Sequence, residues 1–191
     1  MRYKRPWRSW VGPFTRNITA MLTEARTRET MNPLDPMELV PIGVIHSPYQ
    51  ERGQAPRQGR LSESVITLEI YPQFAAALEG IGRCSHLIVL YWGDRANRET
   101  LQSRTPFSEV PVGVFSSRSP NRPNPIAFCV AEFIRLEGNR LIVRGVDALD
   151  GSPLLDIKSY APAIDCIPQA SNQHIPDALD GIAQGESLHV G

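Results

Sequence analysis

Short apolar runs separated by turn residues fill the chain from residue 39 onward, and this pattern predicts a mainly β structure. In residues 64–70, the apolar positions Ile66, Leu68 and Ile70 share one face, as expected of a half-buried strand. Residues 86–92 form a continuous apolar run, which is typical of a central strand. Further strands are expected at residues 40–47, 112–116, 126–136, 140–146 and 154–160.

Turn and helix signals lie between these strands. Pro72 starts a short helix that runs to Leu78, and Gly80 can end it in the left-handed conformation. Gly138 and Asn139 predict a hairpin turn. About seven short strands, one or two short helices and no regular βαβ spacing favour one small β-barrel, closed or nearly closed.

The texture of the sequence divides the chain into three parts. Residues 1–38 form an Arg-rich tail with seven Lys or Arg against four Asp or Glu, residues 39–170 the β-barrel domain, and residues 171–191 a loop-rich tail. An RNA-binding or membrane-surface arm is the alternative interpretation of the first tail. Met31 and Met37 precede the first strand, so the native start of translation stays open.

Composition narrows the class of protein. Of the 191 residues, 41% are hydrophobic and 21% charged, as in an ordinary folded domain. The 20 basic and 20 acidic residues cancel, which argues against a globally basic nucleic-acid binder but permits a local basic groove. Three separated cysteines indicate neither disulfides nor zinc, no His spacing suits a metal, and no apolar run suits a membrane span. We therefore expect a cytoplasmic protein with no metal and no membrane partner.

The most unusual stretch is residues 113–125, where a strand runs into a loop with three prolines, two arginines and two asparagines. Proline fixes its own φ and pushes the preceding residue into extended conformations, so Asn121, Arg122 and Asn124 are held stiffly. Such rigidity lowers the entropy that a loop loses on binding. The alternative is a proline-rich turn whose arginines pair with surface carboxylates.

Two other loops carry polar groups. Residues 147–158 include Asp150 and Gly151, which form either a ligand-holding turn or a simple hairpin turn, and the second reading is favoured when the segment is taken alone. Residues 55–59 read as a solvated connection. His86 precedes a buried strand, where a histidine is more often a core or capping residue than a catalyst.

Taken together, these segments resemble the TrmO family, also called TsaA-like, YaeB-like or VirR-like. The resemblance covers about residues 40–170 in colinear order and is carried by residues 41–49, 56–58, 86–87, 113–126 and 149–158. It implies a non-Rossmann β-barrel that binds S-adenosylmethionine and a homodimer with sites near the subunit interface. It also implies methyl transfer to N6 of threonylcarbamoyladenosine at position 37, in the anticodon loop of tRNA.

The resemblance also implies roles for residues of this chain. The cofactor-binding residues would be Pro56, Arg57, Gln58, His86, Leu87, Arg118, Phe128, Leu149, Asp150, Gly151 and Ser152. An arginine suits the methionyl carboxylate because its guanidinium binds bidentately. Arg122 and Lys158 are candidates for contact with the substrate. Asn124, Asp156 and Tyr160 are candidates for polarising the target nitrogen or accepting its proton.

Two alternative functions stay open. In family members with a longer chain, a basic Pro-rich connection precedes the strand at residue 113, whereas residues 95–110 are shorter here, which would suit methyl transfer to a small metabolite. The second alternative is a dimeric regulatory module that binds S-adenosylmethionine and catalyses nothing.

Overall fold

A computed structural model of the chain describes residues 38–105 and 108–172. The predicted tails fall outside these ranges except for Glu38, Ser171 and Asn172. Two of the four histidines, His174 and His189, also lie outside the described residues.

Strands account for most of the regular structure in the described residues. They are β1 Gly43–His46, β2 Val65–Ile70, β3 His86–Trp92, β4 Gln102–Thr105, β5 Ser108–Gly113, β6 Ile126–Glu137, β7 Arg140–Arg144 and β8 Pro153–Ser159. Short 3-10 helices occupy Gly59–Leu61, Pro72–Leu78, Ile81–Arg83 and Val114–Ser116, and α1 is a single turn at Pro162–Asp165.

Six of the strands close into a barrel in the order β1-β2-β7-β6-β3-β8, with β8 pairing back onto β1. Every neighbouring pair is antiparallel. The prediction of a small, mainly β, closed barrel is therefore confirmed. Strands β4 and β5 pair only with each other and form a separate hairpin.

The core fills the interior of the barrel. Alternation places Leu87, Val89 and Tyr91 of β3 inward, while Ile66, Leu68 and Ile70 form the buried face of β2, as their spacing predicts. Gly80 has a φ of 81°, the left-handed conformation expected at the end of the preceding helix. Gly138, with a φ of 62°, forms the predicted turn between β6 and β7.

Antiparallel pairing brings the three connections that carry candidate motifs to one end of the barrel. Because neighbouring strands run in opposite directions, the β1–β2, β3–β6 and β7–β8 connections all leave from the same end. We call this end, formed by residues 47–64, 93–125 and 145–152, the loop end. The opposite end carries residues 71–85 and the turn at 138–139.

One strand was predicted with the wrong bounds. The strand expected at 112–116 ends at Gly113, because Val114–Ser116 turns into a 3-10 helix in which Ser117 N donates to Val114 O. The short helix predicted from Pro72 to Leu78 is confirmed and is of the 3-10 type, with Phe74 N bonded to Tyr71 O. Strand β4 was not expected.

Candidate functional site

Arg118 of the Pro-rich loop stacks on the first part of β6. Its guanidinium carbon lies 5.5 Å from the centre of the Phe128 ring, and Nη2 donates to Phe128 O at 3.2 Å. Phe128 is 43% exposed, so the pair lies at the surface. Among the described residues no carboxylate forms an ion pair with Arg118, which leaves most of its donors available for an anionic group.

Arg122 binds the loop that carries it. Its guanidinium donates to the carbonyl oxygens of Val114 at 3.0 Å, Ser117 at 3.3 Å and Ser119 at 3.4 Å. The alternative in which this arginine pairs with a surface carboxylate is not what the structure shows. In this arrangement Arg122 holds the shape of the loop, and a direct contact with substrate stays a prediction.

The segment 97–99 packs along the same loop. Asn97 N donates to Asn121 Oδ1 at 2.9 Å, and Arg98 Nε donates to Pro123 O at 2.9 Å. Asn124 is exposed, and its backbone oxygen accepts from Ile126 N, where β6 begins. These contacts fix the Pro-rich loop against its own base.

The segment that contains Pro56, Arg57 and Gln58 reaches β6 through Gly59. A Cβ placed on Gly59 would lie 2.1 Å from Gly145 O, so the two backbones are in direct contact. Gly145, with a φ of 91°, in turn lies against the backbone of Val130 and Ala131. Arg57 is exposed, and Pro56 and Gln58 are half-buried.

The Asp147 side chain, at the loop end, contacts both β3 and β6. Its Oδ1 accepts from Tyr91 Oη at 2.7 Å and from Cys129 Sγ at 3.0 Å. Burial, followed by the nearby Asp147 charge, raises the pKa of both the Tyr91 hydroxyl and the Cys129 thiol far above their usual ranges. Both groups therefore stay protonated and donate to the Asp147 carboxylate.

The turn Leu149–Ser152 is bound tightly to β1 and the segment after it. Asp150 N donates to Tyr49 O at 2.7 Å, Gly151 N to Ile45 O at 2.8 Å, and Ile45 N to Ser152 O at 3.0 Å. The side chain of Asp150 accepts from Ser47 N at 3.0 Å. Because these backbone groups already have partners, a ligand at this turn would be bound mainly through side chains or the remaining amides.

The outer face of β3 and β8 holds the other candidates. His86 Nδ1 contacts Ser85 Oγ at 3.1 Å, and its ring meets Tyr160 edge-on at 6.4 Å between centroids. Asp156 forms an ion pair with Lys158 at 2.5 Å. Asp156 and Phe128 pair with Leu90 from opposite sides. Leu87, by contrast, is fully buried in the barrel interior, so its side chain is part of the core.

The structure brings several of these groups together around β6. Leu87 pairs with Ala131 on β6. Ala131 lies against Gly145, which in turn contacts Gly59, the residue after Gln58. His86 is more distant from the turn Leu149–Ser152. It lies five residues before Tyr91, the partner of Leu154, which corresponds to about 17 Å along the strand.

Two residues that organise the site were not found from the sequence. Asp147 connects strands distant in sequence, and Arg95 Nη1 and Nη2 donate to Gln50 O and Asp150 O at 2.6 and 2.8 Å. No local sequence pattern predicts either role. Within residues 38–105 and 108–172, no group of His, Cys, Asp and Glu is arranged to hold a metal ion, and no helix has the length and apolarity of a membrane span.

The barrel and its loop end define a class of protein: a small antiparallel β-barrel with a polar site built from connections at one end. A family model for the tRNA-methyltransferase O N-terminal domain matches residues 44–166, and the chain belongs to this family.

Named relatives agree with this assignment. An S-adenosyl-L-methionine-binding protein of Archaeoglobus fulgidus is 50% identical over 137 residues, which cover 72% of this chain and 99% of that protein. The putative S-adenosylmethionine-dependent methyltransferase RcsF of Pseudomonas aeruginosa is 38% identical over 150 residues, 75% of this chain and 65% of that protein.

A solved structure also matches the barrel. The crystal structure of TrmO from Pseudomonas aeruginosa superposes with a TM-score of 0.60 at 35% identity, over 73% of this chain and 62% of that one. The chain thus spans about three-fifths of the solved protein that it matches.

Proposed function

We propose that the protein is an S-adenosylmethionine-dependent methyltransferase that acts on N6 of threonylcarbamoyladenosine at tRNA position 37. Family membership and the names of the relatives support the cofactor and the reaction type. The observation that carries the proposal is the stacked pair of Arg118 and Phe128, a residue of β6 that pairs with Leu90 of β3.

The chemistry of the donor groups fits this cofactor. Arg118 uses Nη2 for Phe128 O and has other N–H donors for a carboxylate, while the carboxylates at the loop end suit an ammonium group. When bound, S-adenosylmethionine supplies an electrophilic methyl group, whose transfer leaves a neutral thioether. Positioning by the protein therefore provides most of the rate, because no leaving group needs a strong acid.

Three side chains are candidates for polarising the target nitrogen or accepting its proton. Asp156 flanks the same residue of β3 as Phe128 does, and Lys158 pairs with its carboxylate. Asn124 lies at the base of the Pro-rich loop, whereas Tyr160 lies next to His86 at the start of β3. Asp156 is thus the candidate charged group near the Arg118–Phe128 pair.

A homodimer is part of this proposal. Antiparallel sheets commonly alternate between an apolar core face and a polar solvent face. Beyond the exposed pair His86 and Glu132, the outer faces of β3 and β6 are instead apolar: Ile88, Leu90 and Val130 are half-buried there, and Ile126 and Phe128 are 45% and 43% exposed. A second copy packed on this face would cover these side chains.

Radiolabelled methyl transfer from S-adenosylmethionine tests the proposal. Bulk tRNA with and without the threonylcarbamoyl group serves as acceptor, followed by nucleoside analysis. We expect label only on the modified nucleoside, with an Arg118→Ala variant losing roughly 10- to 150-fold in cofactor affinity, as for a charged hydrogen bond worth ~1.5–3 kcal/mol. The Arg135→Ala variant, on the exposed part of β6, is the matched control.

Other results would overturn this assignment. Label on a small metabolite would indicate the alternative acceptor, and calorimetric binding of cofactor without any acceptor in cell extracts would indicate a regulatory module. Sedimentation of the purified chain as a monomer at micromolar concentration would contradict the homodimer.

A further inference from the structure

Arg95 lies where the three connections of the loop end meet. It follows β3 by three residues, so it belongs to the connection 93–125. Its Nη1 donates to Gln50 O at 2.6 Å, and its Nη2 donates to Asp150 O at 2.8 Å. One guanidinium therefore joins backbone groups that are 45 and 55 residues away from it in sequence.

Both carbonyls belong to segments that carry candidate cofactor residues. Gln50 begins a small turn in which its own N–H and that of Glu51 donate to Gln54 Oε1, and Pro56 to Gln58 follow this turn after Ala55. Asp150 is the second residue of the turn Leu149–Ser152. A displacement of either carbonyl would move a segment that the proposed function places against the cofactor.

The planar guanidinium suits this position better than any other side chain. Two parallel N–H donors on one rigid plane fix two acceptors at once, whereas a lysine ammonium is a single point of charge on a flexible chain. The Arg95 side chain is 44% exposed. Its Nε lies 3.9 Å from Asp94 Oδ2, and this contact does not involve the two Nη groups that donate to the carbonyls.

We propose that Arg95 is a positioning residue that locks the Gln50–Gln54 turn to the turn Leu149–Ser152 and thereby sets the affinity for the cofactor without touching it. This inference rests on the proposed function. Arg95 lies outside the proposed cofactor-binding motifs, but its two hydrogen bonds set the spacing between two of them.

Calorimetric titration of the full chain with S-adenosylmethionine is the first test. We expect Arg95→Ala to weaken binding about tenfold and Arg95→Lys to recover part of the loss, because an ammonium reaches one carbonyl but not both. In turnover assays KM for the cofactor should rise by a similar factor while kcat at saturation changes less than twofold. Arg135→Ala, whose guanidinium pairs with the Glu137 side chain, should match the wild type.

Hydrogen exchange adds a readout that a general loss of stability would not reproduce. The amides of Asp150 and Gly151, bonded to Tyr49 O and Ile45 O, should exchange faster in Arg95→Ala. The amide of Ile70, bonded to Asn139 O at the opposite end, should keep its wild-type rate. Accelerated exchange at both ends would indicate global destabilisation and overturn the inference.

The two proposals fail in different ways. If the wild type does not bind S-adenosylmethionine, the proposed function is overturned. If the wild type binds and Arg95→Ala binds equally well, the inference about Arg95 is overturned and the proposed function stands.

Discussion

Replacement of Gly59 by alanine perturbs the contact between two of the connections at the loop end. The added Cβ would lie 2.1 Å from Gly145 O, 2.6 Å from Gly145 C and 3.0 Å from Val146 Cα. All three atoms are backbone, so no flexible side chain can move aside. To bring the shortest of these contacts to 3.0 Å, the two segments must separate by about 0.9 Å.

The cost follows from overpacking, which is typically about 1–3 kcal/mol in a well-packed region. We expect Gly59→Ala to lose about 2 kcal/mol of unfolding free energy and several-fold in cofactor affinity, because Gln58 is the adjacent residue. Urea denaturation and calorimetry measure the two effects. Gly82→Ala is the matched control, since no atom lies within 4 Å of its added Cβ and its φ lies outside the left-handed region.

Alanine at Gly82 should be neutral or stabilising by up to ~1 kcal/mol, because it reduces the entropy of the unfolded chain. If Gly59→Ala unfolds at the same urea concentration as Gly82→Ala and binds the cofactor like the wild type, the close contact with Gly145 is not a constraint. The reasoning about the segment before Gly59 would then be refuted.

Two further predictions concern the loop end. Burial and Asp147 raise the pKa of the Cys129 thiol, so the folded state keeps a proton that the unfolded state loses above about pH 8.5; stability should fall there by up to ~1.4 kcal/mol per pH unit. Between about pH 8.5 and about pH 10, where the Tyr91 hydroxyl is protonated in the folded and unfolded states alike, Cys129→Ser should lack this loss in denaturation curves and Cys84→Ser should retain it. Equal slopes for all three proteins in this range would contradict the assignment. Arg122→Ala removes donors to three carbonyls and should raise proteolytic cleavage of the Pro-rich loop and lower turnover on tRNA, whereas Arg118→Ala should mainly weaken the cofactor; identical defects would refute the division of roles.

β2 was predictable because burial on one face imposes period-two alternation, and β3 because it is a continuous apolar run. β3 has the predicted bounds, and β2 begins one residue later than expected. β4 carries the sequence Gln-Ser-Arg-Thr, which is polar on both faces and gives no such signal. Val114–Ser116 reads as strand because its turn depends on a bond from Arg122, eight residues away.

The site was predictable only where local motifs carry it. The prolines of residues 113–125 predict a stiff loop, and in the structure Arg118 of that loop stacks on Phe128. Asp147 and Arg95 act on residues up to 56 positions away. Which strands become neighbours depends on the closed topology, and a single sequence does not state it.

The connection between β3 and β6 is closed at its base by the pairing of these two strands. Trp92 pairs with Ile126, and Gly93 N donates to Pro125 O at 2.8 Å, so the two ends meet independently of residues 94–124. Because loop-closure entropy changes by only ~0.6 kcal/mol for each doubling of length, this segment tolerates insertion and deletion. Changes in the length of this segment therefore leave the closure of the barrel intact, provided that Arg95 and Arg118 keep their contacts.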